Sequence, residues 1–258
     1  MKLYVIIPDV HDRHPYVSSP HGRMSRKVYH PAYRCMLSVI KALKPNGIVN
    51  LGDTTDMESL SYFDMDKRRK MEGRRYQKDI QSLNHLLDEQ EKVISHKTEK
   101  IYFIGNHEQR VENYLDNHPE SEGMMNFEAD VFLGRRGYEI IGFNQPKKLG
   151  KALFMHGFDA TMYHAAKMSR TFDRTIYYGH VHDVQTHSFK SPINAREIRV
   201  AESLGCLCDL NPSWLLGKPN RWVHAFGLFW LKDNGEFQMD RKIVINGEVV
   251  INGKIFKG

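Results

Sequence analysis

The chain has 258 residues, 41% hydrophobic and 26% charged, and its 37 Lys and Arg exceed its 31 Asp and Glu for a formal charge of +6. That length can bury a sizeable core, so a disordered or fibrous chain is excluded, and no run of about 18 apolar residues exists to cross a membrane. The mild basic excess suits a polyanionic partner without requiring one.

Residues 2–7 form an apolar run that ends at Pro8 and Asp9, too short for a secretory leader, and read as a buried first strand. A His-, Arg- and Ser-rich loop over 11–30 follows. Pro31 is placed to open a helix, and Ala32 to Leu43 carries the apolar spacing to continue it until Pro45-Asn46-Gly47. Ile48 to Leu51 reads as a second strand. Gln77 to His96 reads as a long amphipathic helix, Ile101 to Ile104 as a third strand and Glu108 to Leu115 as a helix. Ala152 to Met155 and Ile176 to Tyr178 are further short strands. The last third changes character: Ile198 to Ser203, Trp222 to Leu231, Phe237 to Ile245 and Glu248 to Phe256 read as strands, with hairpin turns at Asp233-Asn234-Gly235 and Asn246-Gly247. Strand–helix alternation followed by a meander predicts an α/β protein, with the meander forming a second sheet packed on the first. No repeat or compositional break divides residues 1–258, so one domain is expected.

Three cysteines, Cys35, Cys206 and Cys208, cannot build a disulfide framework, so a reducing, cytoplasmic setting is expected. Cys206-Leu207-Cys208 lacks the C-x-x-C spacing of redox and zinc sites and reads as small apolar filler near a strand end.

Five polar motifs stand just past strand ends: Asp9-Val10-His11, Gly52-Asp53-Thr54-Thr55-Asp56, Gly105-Asn106-His107-Glu108, His156-Gly157 and Gly179-His180-Val181-His182. The C-terminal ends of strands are where α/β sheets assemble their sites. Asp9, His11, Asp53, Asn106, His156, His180 and His182 are seven oxygen and imidazole ligand candidates. Seven exceeds one tetrahedral zinc and suits two divalent ions about 3.5–4 Å apart that share a carboxylate. These ligand types are compatible with manganese, iron, zinc, cobalt or nickel and do not name the ion; manganese is the first expectation.

The motifs D-x-H, G-D-x-x-D, G-N-H-E, H-G and G-H-x-H, in this order over residues 9–182, resemble the calcineurin-like metallophosphoesterase family. The segments Gly105 to Arg110 and Asn211 to His224 are similar to compact phage and mobile-element members. The resemblance implies a four-layer αββα sandwich of two mixed sheets flanked by helices. It further implies that Asp9, His11 and His182 hold one metal, that Asn106, His156 and His180 hold the other, and that Asp53 bridges them. His107 would then face the substrate, and a hydroxide between the ions would attack phosphorus. Asp56 and Glu108 are expected to orient the histidines, with helix N-capping the alternative for Asp56.

Around this set, Arg13, His14 and Arg110 are candidates to grip phosphate. Residues 67–78 carry seven positive charges and one negative; Arg68, Arg69, Arg74 and Arg75 there could form a track for a phosphate backbone, or a solvated insertion. Trp214 is the candidate for stacking on a base, and Trp222 is expected in the core. His164, His187 and His224 read as structural. The sequence therefore points to hydrolysis of phosphodiesters in nucleic acid or nucleotides, away from a membrane. A phosphomonoesterase, or a binding scaffold that keeps the metal site, are the alternatives.

Overall fold

A computed structural model describes residues 1–13, 29–190, 192–193 and 198–258. The expected loop over 11–30, including His14, therefore falls largely outside the described residues. Along the chain run β1 (Lys2–Ile7), α1 (Pro31–Leu43), β2 (Gly47–Asn50), α2 (Arg68–Met71), α3 (Tyr76–Glu91), β3 (Glu99–Phe103), α4 (Arg110–Asn117), α5 (Phe127–Asp130), β4 (Tyr138–Ile141), β5 (Lys147–Leu149), β6 (Ala152–Met155), α6 (His164–Phe172), β7 (Ile176–Tyr178), β8 (Thr186–Lys190), β9 (Ile198–Ser203), β10 (Ala225–Leu231), β11 (Phe237–Ile243), β12 (Glu248–Ile251) and β13 (Lys254–Lys257).

The fold is α/β, with two mixed sheets flanked by helices. The first sheet has the order β11-β10-β1-β2-β3-β4, with β1 to β4 parallel and β10 and β11 antiparallel. The second has the order β5-β6-β7-β9-β8, with β6, β7 and β9 parallel. Strand β1 shows why the layers form. Its alternate residues Leu3, Val5 and Ile7 pack towards Tyr33, Met36 and Ile40 of α1 and Leu83 and Leu87 of α3. Tyr4 and Ile6 point the other way, into a core shared with Phe154, Tyr177 and Phe229. A strand apolar on both faces has to be covered on both. Between the sheets Phe229 is fully buried, edge-on to Phe154 at 5.0 Å and stacked on Phe237 at 5.3 Å. Helix α6 closes the outer face of the second sheet, where His164 Nδ1 meets Tyr178 Oη at 2.7 Å.

Several sequence expectations are corrected. Of the C-terminal strands only Ile198–Ser203 (β9) enters the second sheet. Strands β10 and β11 pair onto β1 and extend the first sheet, whereas the second is built from residues 147–203. Glu248 to Phe256 is not one strand but a hairpin, because Asn252 and Gly253, at φ 50° and 76°, supply the left-handed pair that a tight hairpin turn needs. Helix α3 stops at Glu91 rather than His96, where Ser95 and Thr98 divert the backbone: Thr98 Oγ1 accepts from Ser95 N and Ser95 Oγ from Lys97 N. Helix α1 matches its expected span, capped by His30 Nδ1, which accepts from Ala32 N. Among the described residues, no helix is long and apolar enough to cross a membrane.

Candidate metal centre

The parallel run β1-β2-β3 delivers three loops to one edge of the first sheet, and β6 and β7 deliver two from the second. The five motifs meet where those edges face each other. Five of the seven ligand candidates sit at positive φ: Asp9 28°, His11 45°, Asp53 46°, His180 71° and His182 62°. A non-glycine residue there costs on the order of 1–3 kcal/mol, and such strain collects at functional sites. The neighbouring glycines are needed for space: a Cβ on Gly179 would overlap Asp9 Oδ2, and one on Gly105 would overlap Asp53.

Two donor sets result. In the first, His11 Nε2 is 2.9 Å from His182 Nε2, His182 Nε2 is 3.4 Å from Asp9 Oδ1, and His11 Nε2 is 3.6 Å from Asp53 Oδ2. In the second, Asn106 Oδ1 is 2.9 Å from His156 Nε2 and 2.8 Å from His180 Nδ1, and His156 Nε2 is 3.4 Å from Asp53 Oδ2. Asp53 Oδ2 belongs to both, while Asp53 Oδ1 accepts from the His107 amide at 2.9 Å. Atoms bound to one ion at about 2.0–2.2 Å stand roughly 3 Å apart, which is the spacing found.

The ring nitrogens of His11 and His156 that face away from the two sets are tied to oxygen acceptors. His11 Nδ1 lies 3.0 Å from the Asp56 carboxylate, and His156 Nδ1 lies 2.8 Å from the Leu51 carbonyl. Each of those nitrogens is a donor, so each Nε2 of a neutral ring turns its lone pair towards the other ligand candidates, the form in which an imidazole can hold a cation. Burial lowers the pKa of His156, but the adjacent Asp53 outweighs it and lifts the ring to about 10. Burial works against ionised Asp53, yet His156, His107 and His11 hold its carboxyl well below the usual carboxylate range. The carboxylates thus favour a proton on His156, whereas burial and the neighbouring His107 push His11 down to about 4.

His107 lies beside the shared atom, its Nε2 3.8 Å from Asp53 Oδ2. Its Nδ1 is 3.1 Å from Asp56 Oδ1 and 2.9 Å from the Asp56 carbonyl. Burial disfavours the charged ring, but Asp53 and Asp56 prevail and keep its pKa above the ordinary value. Asp56 serves three partners, His11, His107 and Arg13 Nε, and caps no helix.

Glu108 departs from expectation. It hydrogen-bonds no imidazole; its carboxylate accepts from the amides of Asp53, Thr54 and Gly105 at 2.8–2.9 Å and from Tyr102 Oη at 3.0 Å. It fixes the loop that carries Asp53, and for that reason α4 begins only at Arg110. Arg110 is anchored rather than free: Nη1 donates to the carbonyl of Asp56 at 2.8 Å, and Nη2 lies 3.2 Å from His107 Nε2.

The donor sets open into a cavity of about 740 Å³ lined by Arg13, Tyr29, Tyr33, Cys208, Trp214 and Trp222 among others. Trp222 is not in the core: its half-buried ring lies 4.3 Å from that of His182 and 5.7 Å from that of half-exposed Trp214. Nothing in local spacing marked Trp222 as a cavity wall, because the loop that carries it folds back from the far end of the chain. In the basic segment, Arg68, Arg69 and Arg75 are exposed, but Arg74 is half-buried and pairs with Glu58 and Asp64, so it does not belong to an open track. His164, His187 and His224 have structural partners, Asp183, Ser169 and the Cys208 carbonyl. Comparison with protein-family models and with curated proteins returns no match.

Proposed function

We propose that the protein is a phosphoesterase of the calcineurin-like metallophosphoesterase type, holding two divalent ions and hydrolysing phosphodiester bonds in nucleic acid or nucleotides. The observation that carries this reading is the pair of donor sets meeting on one oxygen, Asp53 Oδ2, with His107 beside it. Asp9, His11 and His182 would hold one ion, and Asn106, His156 and His180 the other. Manganese is the first choice, and iron, zinc, cobalt or nickel suit the same ligands. Two such ions supply charge neutralisation of phosphate oxygens and acidify a water for attack.

The chain's own residues do the rest. Asp56 fixes the His11 tautomer so that its lone pair points inward, and it raises the proton affinity of His107. His107, protonated, gives its proton to the leaving oxygen. Arg110 steadies the loop carbonyls beneath that ring through Nη1, and its Nη2 lies against His107 Nε2. Trp214 and Trp222, tilted 57° to each other, give the cavity an apolar aromatic wall, and half-exposed Trp214 offers a face on which a base can stack; with exposed Arg68, Arg69 and Arg75 this favours a nucleic-acid diester over a phosphoprotein. The three free thiols suit a reducing, cytoplasmic setting.

The test is a paired assay with Mn²⁺ on bis-p-nitrophenyl phosphate and labelled DNA against p-nitrophenyl phosphate and a mononucleotide. Diester and DNA cleavage, abolished in Asp53→Asn, is the expected result. Turnover confined to monoesters would make the protein a phosphatase. No turnover at full metal occupancy would make it a scaffold.

A further inference from the structure

Each ligand imidazole of a metal site ordinarily has its second nitrogen tied to an oxygen acceptor. His11 has Asp56 and His156 has the Leu51 carbonyl. His182 has no such oxygen partner. Its Nε2 faces His11 and Asp9, while its Nδ1 is buried, on a residue only 7% exposed, with no hydrogen-bonded oxygen among the described residues. What stands near this ring is sulfur: a ring nitrogen of His182 and the thiols of Cys206 and Cys208 lie within 4.8 Å of one another, all three residues buried. A third metal-type donor set thus includes two residues that the sequence presents as filler.

We propose that Cys206, Cys208 and Nδ1 of His182 form a separate site for a thiophilic cation of the Zn²⁺, Cd²⁺ or Cu⁺ kind, beneath the two donor sets that meet on Asp53. Thiolates select soft and borderline ions, and a single imidazole completes a three-donor set. Cys208 lines the main cavity, which gives an ion entry and leaves room for a fourth ligand. The Cys206-Leu207-Cys208 loop is held in place from both sides. Leu207 N donates to the Asp9 carbonyl at 3.0 Å, and Cys206 N donates to the Val223 carbonyl at 3.0 Å. The donors are therefore positioned before an ion arrives. On binding, the two S–H bonds are exchanged for two S–metal bonds and two protons leave to solvent.

The site also competes with the centre above it. A neutral imidazole has one lone pair. Given to the thiol site through Nδ1, it is withdrawn from the set of Asp9, His11 and Asp53, because Nε2 then carries the proton. A thiophilic ion and the ion held by Asp9 and His11 accordingly exclude each other.

The test is a Cd²⁺ titration of the metal-free and the Mn²⁺-saturated full chain, followed by thiolate-to-cadmium charge-transfer absorption in the ultraviolet. The metal-free protein is expected to develop the band to saturation at one thiolate-bound Cd²⁺ per chain. Mn²⁺ saturation should raise the Cd²⁺ concentration needed by about tenfold or more. Cys206→Ser/Cys208→Ser, and Cys208→Ser alone as the milder change, should lose the band. Absence of the band in the wild type, its persistence in the serine variants, or a midpoint that Mn²⁺ does not move would each overturn the proposal. Ester cleavage is not a readout here, so failure of the phosphoesterase assignment leaves this result interpretable.

Discussion

Asp56 shows how much one side chain can coordinate. Its carboxylate touches His11 Nδ1, His107 Nδ1 and Arg13 Nε at once, and burial alone would raise its pKa. The surrounding histidines reverse that and hold it well below the usual carboxylate range. It is therefore charged across the neutral pH range. If His107 protonates the leaving oxygen, activity falls as pH rises through the ring's raised pKa. Asp56→Asn removes one of the two charges that raise it. At saturating Mn²⁺, the alkaline limb of the kcat profile should move to lower pH, and Mn²⁺ affinity should drop about 10–100-fold because His11 loses its orienting partner. Asn retains the side-chain volume, so loss of packing does not account for either change. An alkaline limb that stays in place while activity falls would remove His107 from the role of acid.

At the scale of elements, the segment from Tyr62 to Lys78 is joined to the candidate centre by alternating charges. Asp56 pairs with Arg13, Arg74 bonds Glu58 and Asp64, and Asp64 takes Lys67 and Lys70. Arginines that look equivalent in sequence thus divide in two. Arg68→Gln/Arg69→Gln/Arg75→Gln should weaken DNA binding and flatten the slope of log K against log salt by up to about 2–3. It should leave turnover of a small chromogenic ester close to wild type. Arg74→Gln should instead lower thermal stability with little effect on that slope. A triple variant with an unchanged salt slope would show that the phosphate backbone does not cross this segment. The same division marks the limit of what the sequence discloses. Strands β1, β2, β3, β6 and β7 are legible because each is an apolar run cut off by a ligand residue. Helix α1 is legible because Pro31 and the Pro45-Asn46-Gly47 turn bracket it. Strands β4, β5 and β8 were not expected. The last two have largely polar, solvent-facing sequences, Lys147-Lys148-Leu149 and Thr186 to Lys190, and owe their form to pairing with β6 and β9. That β10 joins β1 rather than a second sheet is likewise not local information. The motif order anticipates which side chains converge at the centre. It says nothing of Glu108 clasping backbone amides or of sulfur behind His182, since those depend on how loops from distant strands stack.

In the whole molecule, the centre joins the two halves of the sandwich. Asp9, His11, Asp53 and Asn106 follow strands of the first sheet, while His156, His180 and His182 follow strands of the second. Between them, residues such as Asp53 and His11 are held at positive φ, a strained arrangement sustained by packing. An ion in either set would tie one sheet to the other, so binding and folding would be coupled. At 100 times its dissociation constant an ion stabilises by about 2.7 kcal/mol per independent site. For a chain of this size each kcal/mol is worth about 2–4 °C. Saturating Mn²⁺ should therefore raise Tm by about 5–10 °C for one site and further for two, in a single cooperative transition because the ligands come from both sheets. Asp53→Asn takes the charge from the one oxygen common to both sets and should lose most of this shift, whatever its effect on the metal-free Tm. The comparison to make by scanning calorimetry is the Mn²⁺-induced change in each protein, not the absolute midpoints. Equal shifts in both would mean that Asp53 bridges nothing, and a wild-type transition split in two by Mn²⁺ would mean that the ions bind one sheet only.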